Sequence, residues 1–130
     1  KPVPVNFMRL RSPRNDMGWV ALAGPISNII IALSAAALLR LQLDETTVLF
    51  LELLIFINIL LAVFNMIPVP PLDGSRVLMR LLPQSLALPY TRLEPYGILI
   101  VFVLLYFGLF QKIVIPVVVY LSKFLGVHIL

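Results

Sequence analysis

The sequence contains no cysteine, one histidine and few charges. Without cysteine, disulfides and thiolate-ligated metals are excluded. Charged residues make up 12%, while 61% are hydrophobic and the mean hydropathy is +1.05. A soluble domain would carry about a quarter charged and about half apolar residues. That imbalance excludes an ordinary soluble domain and identifies a membrane protein whose first partner is the lipid bilayer. The net charge of +4 lies mostly in the segments between apolar runs. Because no basic stripe is interleaved with aromatics, no nucleic-acid partner is expected. Internal repeats and low-complexity tracts are also missing. The first residue is Lys1, with no signal peptide ahead of the first apolar run, so a piece of a longer protein is expected.

What is present is a series of apolar runs. Residues 1–16 read as a cytoplasmic loop or short strand, because alternate prolines in Lys1-Pro2-Val3-Pro4-Val5-Asn6 disfavour helix. A plain connector is the simpler role there; a strand edge offered to an extended peptide is the alternative. Met17 to Leu39 is 23 residues without a charge, enough to cross a hydrocarbon core of about 30 Å. A helix is predicted over about 17–40. Its Gly24, Pro25 and alanines suit close helix packing, and Asn28 suits either packing or site support. A second helix is predicted over 48–67, with Asn58 and Asn65 seven apart on one face. A short helix over 75–82 follows, then a loop over 83–96. For the C-terminal region, two helices over 97–110 and 112–125 are preferred to one helix kinked at Pro116, since Lys112 at mid-bilayer would be costly. The expected fold is an all-α membrane bundle of three to four transmembrane helices. Basic residues concentrate in 1–16 and 74–96, so the positive-inside rule puts the N-terminus and the Asp73 side in the cytoplasm.

The second run ends in an unusual way. Asn65-Met66-Ile67-Pro68-Val69-Pro70-Pro71-Leu72-Asp73-Gly74 holds three prolines, an amide, a glycine and an acid. Each proline removes a backbone donor and blocks the helix, so 65–75 is expected to be partly unwound. Unwound backbone at membrane depth survives only inside protein or along a polar cavity. Asp73 is therefore the residue to explain: a metal ligand, a general acid or base, a proton relay, or a helix cap.

Asn65-x-x-Pro68 followed by Leu72-Asp73-Gly74 resembles the second signature of the site-2 protease family of intramembrane zinc metalloproteases. Ala23-Gly24-Pro25 with Asn28 resembles the segment opening the preceding helix, and Lys1-Pro2-Val3-Pro4-Val5-Asn6 the loop after the family's first metal-binding helix. The three matches occur in family order over roughly residues 1–110. The resemblance implies a catalytic Zn2+ held by two histidines of a His-Glu-x-x-His helix and by Asp73 as third ligand. It also implies that Asn65 orients an unwound substrate or stabilises the developing oxyanion, with Gly24, Pro25, Asn28, Pro68, Leu72 and Gly74 in support. The implied substrate is a transmembrane or membrane-proximal peptide, and the implied location a bacterial or archaeal inner membrane.

The chain departs from that pattern in lacking His-Glu-x-x-His, and its histidine, His128, stands near the C-terminus. One Asp and one distant His do not make a three-ligand zinc site. The reading is that the His-Glu-x-x-His segment belongs upstream and that these 130 residues alone are not proteolytic. Two other readings use the same residues. One is a non-catalytic module that grips transmembrane segments without zinc. The other is a transporter or channel fragment with Asn58, Asn65 and Asp73 along a polar path.

Overall fold

A computed structural model describes residues 13–127. The expected connector or strand at 1–12 and His128 lie outside them. Among the described residues the chain is all-helical, with no strand.

Helix α1 runs Pro13–Leu38. It begins four residues before the expected start at Met17, so 13–16 is helix and not loop. Proline costs nothing in a first turn, where its missing N–H has no partner, and Asp16 suits the positive helix end. Helix α2 runs Glu45–Asn65 and is started by Asp44, whose carboxylate accepts from the Thr47 amide at 3.2 Å and the Thr47 hydroxyl at 2.6 Å. It begins three residues before the expected 48, because Asp44 caps it, and stops at Asn65, two short of the expected 67 and three short of Pro68.

The two helices pack through complementary stripes. Ala32 and Ala35 of α1 are buried against Leu51, Ile55 and Ile59 of α2, which recur at helical spacing. Small side chains on one partner let the backbones approach, which in lipid replaces the hydrophobic drive available in water. Val114, Val118 and Val127 complete this core. Outward-facing residues such as Ile30, Phe50, Phe102 and Tyr106 are exposed, as a lipid-facing surface requires.

After α2 comes the break at 66–72, narrower than the expected 65–75 because Asn65 still belongs to α2 and α3 (Asp73–Leu81) begins at Asp73 and not at 75. Then follow α4 (Gln84–Thr91), a 3-10 turn (Glu94–Tyr96) and α5 (Gly97–Tyr106). The expected loop at 83–96 is thus largely helical. Pro83 stands just before α4, a position that needs no N–H, and its carbonyl accepts from Leu86 and Ala87 at 3.0 Å. Among the described residues, three helices are long and apolar enough to cross a membrane: Asp16–Leu38, Glu45–Asn65 and Gln84–Tyr106. The third starts well before the expected 97. Gly108, at φ +94°, then turns the chain. A π-helical turn (Phe110–Val114) carries Lys112 and leads into α6 (Ile115–Phe124), so 97–125 forms two helices.

Candidate functional site

Asp73 is the first residue of α3, and its position follows from how the break folds. Pro68, Pro70 and Pro71 deny the chain its ladder, and the Pro70–Pro71 bond is cis. Short local bonds replace the ladder: Val69 N–H donates to the Ile67 carbonyl at 2.8 Å and Leu72 N–H to the Val69 carbonyl at 2.9 Å. The Ser75 hydroxyl then donates to the Leu72 carbonyl at 2.7 Å, securing the start of α3.

Two glycines decide where the carboxylate goes. A Cβ on Gly74 would lie 2.1 Å from the Met66 carbonyl oxygen and 2.6 Å from that of Ile67. Only glycine lets the start of α3 press against the end of α2. A Cβ on Gly24 would lie 3.2 Å from Asp73 Oδ2. The bare face of α1 at Gly24 is therefore the floor on which the carboxylate rests. Asn28 is one turn further along that face and half-buried, and Pro25 is buried beside it. Asn65, at the last position of α2, is half-buried; Leu72 is half-buried and Pro68 exposed. The structure thus brings Asp73 beside Gly24, and Gly74 against Met66 and Ile67. It places Asn65, Pro68 and Leu72 on the segment leading to them.

Asn58 behaves differently. It is buried, and its amide donates to the Leu54 carbonyl of its own helix at 2.8 Å. That bond satisfies a polar group within α2 and turns its donor away from a continuous polar path with Asn65.

A second contact fixes the direction of α3. Arg80 lies against Gly18, where a Cβ would meet its Cδ at 2.8 Å. Its guanidinium sits over the Trp19 ring, 4.5 Å from the centroid. Arg80 is thus paired with residue 18 and Asp73 with residue 24, so α3 runs antiparallel along α1. Six residues of α1 separate the two levels, about 9 Å at about 1.5 Å per residue. The seven-residue span of α3 from Asp73 to Arg80 gives about the same length, so the two helices agree.

Sequence reasoning missed three residues near the break: Arg76, Tyr90 and Gly97. Arg76 Nη1 donates to the Pro71 carbonyl at 3.3 Å, and the Tyr90 hydroxyl donates to the Pro68 carbonyl. Gly97 approaches so closely that a Cβ would lie 1.8 Å from the Pro70 oxygen. A glycine opening a helix was the one sequence signal for such an approach, and it carries no information about the partner.

A zinc centre needs three protein ligands with one open position, or four when closed. Among the described residues no group of three or more His, Cys, Asp or Glu comes together. Asp73, half-buried beside Gly24, offers one carboxylate donor, which suits a single place in a ligand set and does not complete one.

The family model for peptidase family M50 matches residues 40–108, which include the whole Asn65–Gly74 stretch. The chain belongs to peptidase family M50, the site-2 protease family. It is 34% identical over 118 residues to YwhC of Bacillus subtilis, provisionally named a zinc metalloprotease, covering 80% of this chain and 52% of that one. It is also 39% identical over 64 residues to MJ0611 of Methanocaldococcus jannaschii, provisionally named in the same way, covering 48% of this chain and 34% of that one. This M50 chain therefore spans about half the length of one curated relative and about a third of the other. No solved structure matches it significantly.

Proposed function

We propose that these residues form part of the catalytic core of an intramembrane zinc metalloprotease that hydrolyses peptide bonds in or near transmembrane segments. In that reading Asp73 supplies one carboxylate ligand, and the remaining ligands come from sequence outside the 130 residues. The 130 residues alone are then inactive. When bound, zinc would activate water and polarise the scissile carbonyl.

The observation that carries the reading is the seating of the Asp73 carboxylate on Gly24. Trp19 is exposed and stacked under Arg80, a pair suited to the headgroup level. Gly24 lies about 7.5 Å further along α1 when α1 stands along the membrane normal. Asp73 is then below the interface, beside backbone that the prolines have freed from helix. Gly24 leaves room for the carboxylate, and Gly74 holds it there by docking α3 on α2. Asn65 and Asn28 are the nearby amides able to donate to a substrate carbonyl or a developing oxyanion. With the positive-inside rule, the site opens toward the cytoplasm of a bacterial or archaeal inner membrane.

The test uses the complete natural protein, purified in detergent. Asp73→Ala should remove bound zinc, measured by metal analysis, and abolish zinc-dependent cleavage of a membrane peptide. Wild-type zinc content and activity in that variant would rule Asp73 out as a ligand. A complete protein that binds transmembrane peptides but no zinc would instead be a non-catalytic gripping module.

A further inference from the structure

Tyr90 stands out from the hydrogen-bonding pattern of the whole chain. Its hydroxyl donates to the Pro68 carbonyl across 22 positions of sequence. Asp16 aside, every other side-chain hydrogen bond between described residues joins positions no more than five apart. The long-range bond lands on the proline segment that carries Asp73, five residues before it. Arg76 reaches the same segment from the other side, at the Pro71 carbonyl, and Gly97 packs on the Pro70 carbonyl between them. Three consecutive elements, α3, α4 and α5, thus each hold one carbonyl of the segment.

Gly97 packs closely on one side of the segment, and another side is open. A cavity of about 90 Å³ lies there, lined by Pro71, Arg76, Met79, Tyr90 and Glu94 among others. A segment pressed on all sides by close-packed atoms would keep its place without any single hydrogen bond. One that borders a void depends on the few directed bonds that cross to it. From this geometry we infer that Tyr90, with Arg76, is a positioning residue for Asp73: it fixes the Pro68–Pro71 segment and so sets where the carboxylate points. The inference rests on the reading of Asp73 as a metal ligand.

The experiment compares Tyr90→Phe, Thr91→Val and Asp73→Ala with wild type in the complete zinc-loaded protein. Zinc affinity is read by chelator competition, and local order by hydrogen–deuterium exchange of peptides covering 66–72. Tyr90→Phe keeps the ring and removes the bond. It should weaken zinc binding about 3- to 10-fold, in line with the loss of one hydrogen bond acting through the supports of a ligand. It should also speed exchange at Val69 and Leu72 while α1 and α2 stay at wild-type rates. Thr91→Val lines the same cavity but bonds only Leu88 of its own helix, so both readouts should stay at wild type. If Tyr90→Phe leaves either readout at its wild-type value, or if Thr91→Val shifts them equally, the positioning role is overturned. In that case loss of zinc in Asp73→Ala leaves the ligand reading standing. Retention of zinc in Asp73→Ala overturns both.

Discussion

Gly74→Ala is the substitution whose outcome the structure constrains most tightly. The added Cβ would lie 2.1 Å from the Met66 carbonyl oxygen, 2.4 Å from the Met66 carbonyl carbon and 2.6 Å from the Ile67 oxygen. Carbon and carbonyl oxygen approach each other to about 3.3 Å at closest. The start of α3 and the end of α2 must therefore separate by about 1 Å. All three obstructing atoms are backbone, so no rotamer change relieves the clash. Overpacking of this kind costs about 1–3 kcal/mol, and the gain in helix propensity of about 1 kcal/mol offsets only part of it. Gly24→Ala is the matched control: its Cβ meets a single side-chain atom, Asp73 Oδ2, at 3.2 Å. A carboxylate end can yield by a few tenths of an ångström, so the fold should hold while zinc binding weakens. The assay is thermal unfolding of the complete protein in detergent together with its zinc content. Gly74→Ala should lower stability and zinc content together; Gly24→Ala should lower zinc binding at near-wild-type stability. A Gly74→Ala protein as stable as wild type would refute the argument from backbone contact.

Two further outcomes follow from the same structure. Gly97→Ala places a Cβ 1.8 Å from the Pro70 oxygen and should cost about 1–3 kcal/mol in the same unfolding assay; wild-type stability would show that α5 can swing clear of the break. Asp44→Ala removes the cap of α2 and should lower the melting temperature at neutral pH. The Thr47 hydroxyl, helped by the Thr47 amide, holds the Asp44 carboxyl below its ordinary value of 3.8. A carboxyl depressed in the folded state stabilises above its unfolded value, and that contribution fades as pH falls through the lower folded one. The gap between wild type and Asp44→Ala should therefore be full above pH 3.8 and close below it; a gap that stays constant on acidification would show that the cap does not act through the ionised form.

The two long helices were legible because each announces itself locally: 23 uncharged residues for α1, and the apolar run over 48–67 for α2. The break at 66–72 was legible for the same reason, since proline acts on its own neighbours. The region 83–96 was not, because proline has two opposite meanings. Pro83 reads as a terminator of what precedes it, whereas it sits where a helix can begin. The site itself divides along the same line. Asp73 and Gly74 could be singled out from adjacent residues, but the seating of Asp73 on Gly24 joins positions far apart in sequence. Tyr90 meeting Pro68, and Gly97 meeting Pro70, are of the same kind. Such contacts come from the path of α3 back along α1 and from the stacking of α4 and α5 on the break. Composition and periodicity do not encode either.

If Asp73 lies within the membrane, as proposed, the early end of α2 is what makes its carboxylate physically tolerable. An acid within a continuous membrane helix costs about 2.5–3.5 kcal/mol at the bilayer centre. Here the helix stops at Asn65 and a new one starts at Asp73, so the acid stands at a helix N-terminus. The positive end of α3 offsets about 0.3–1 kcal/mol of that cost, rising toward about 2 in a partly buried setting. A deficit remains either way, and Leu72 offers no side-chain cap to reduce it. Position 24, where a Cβ would lie 3.2 Å from Asp73 Oδ2, is glycine. A negative group left with residual cost is well suited to accept a cation. Asp73→Asn, which keeps the shape and removes the charge, should therefore stabilise the metal-free complete protein relative to wild type while weakening its zinc binding. If Asp73→Asn lowers metal-free stability, the carboxylate is being held by the fold and not by a metal.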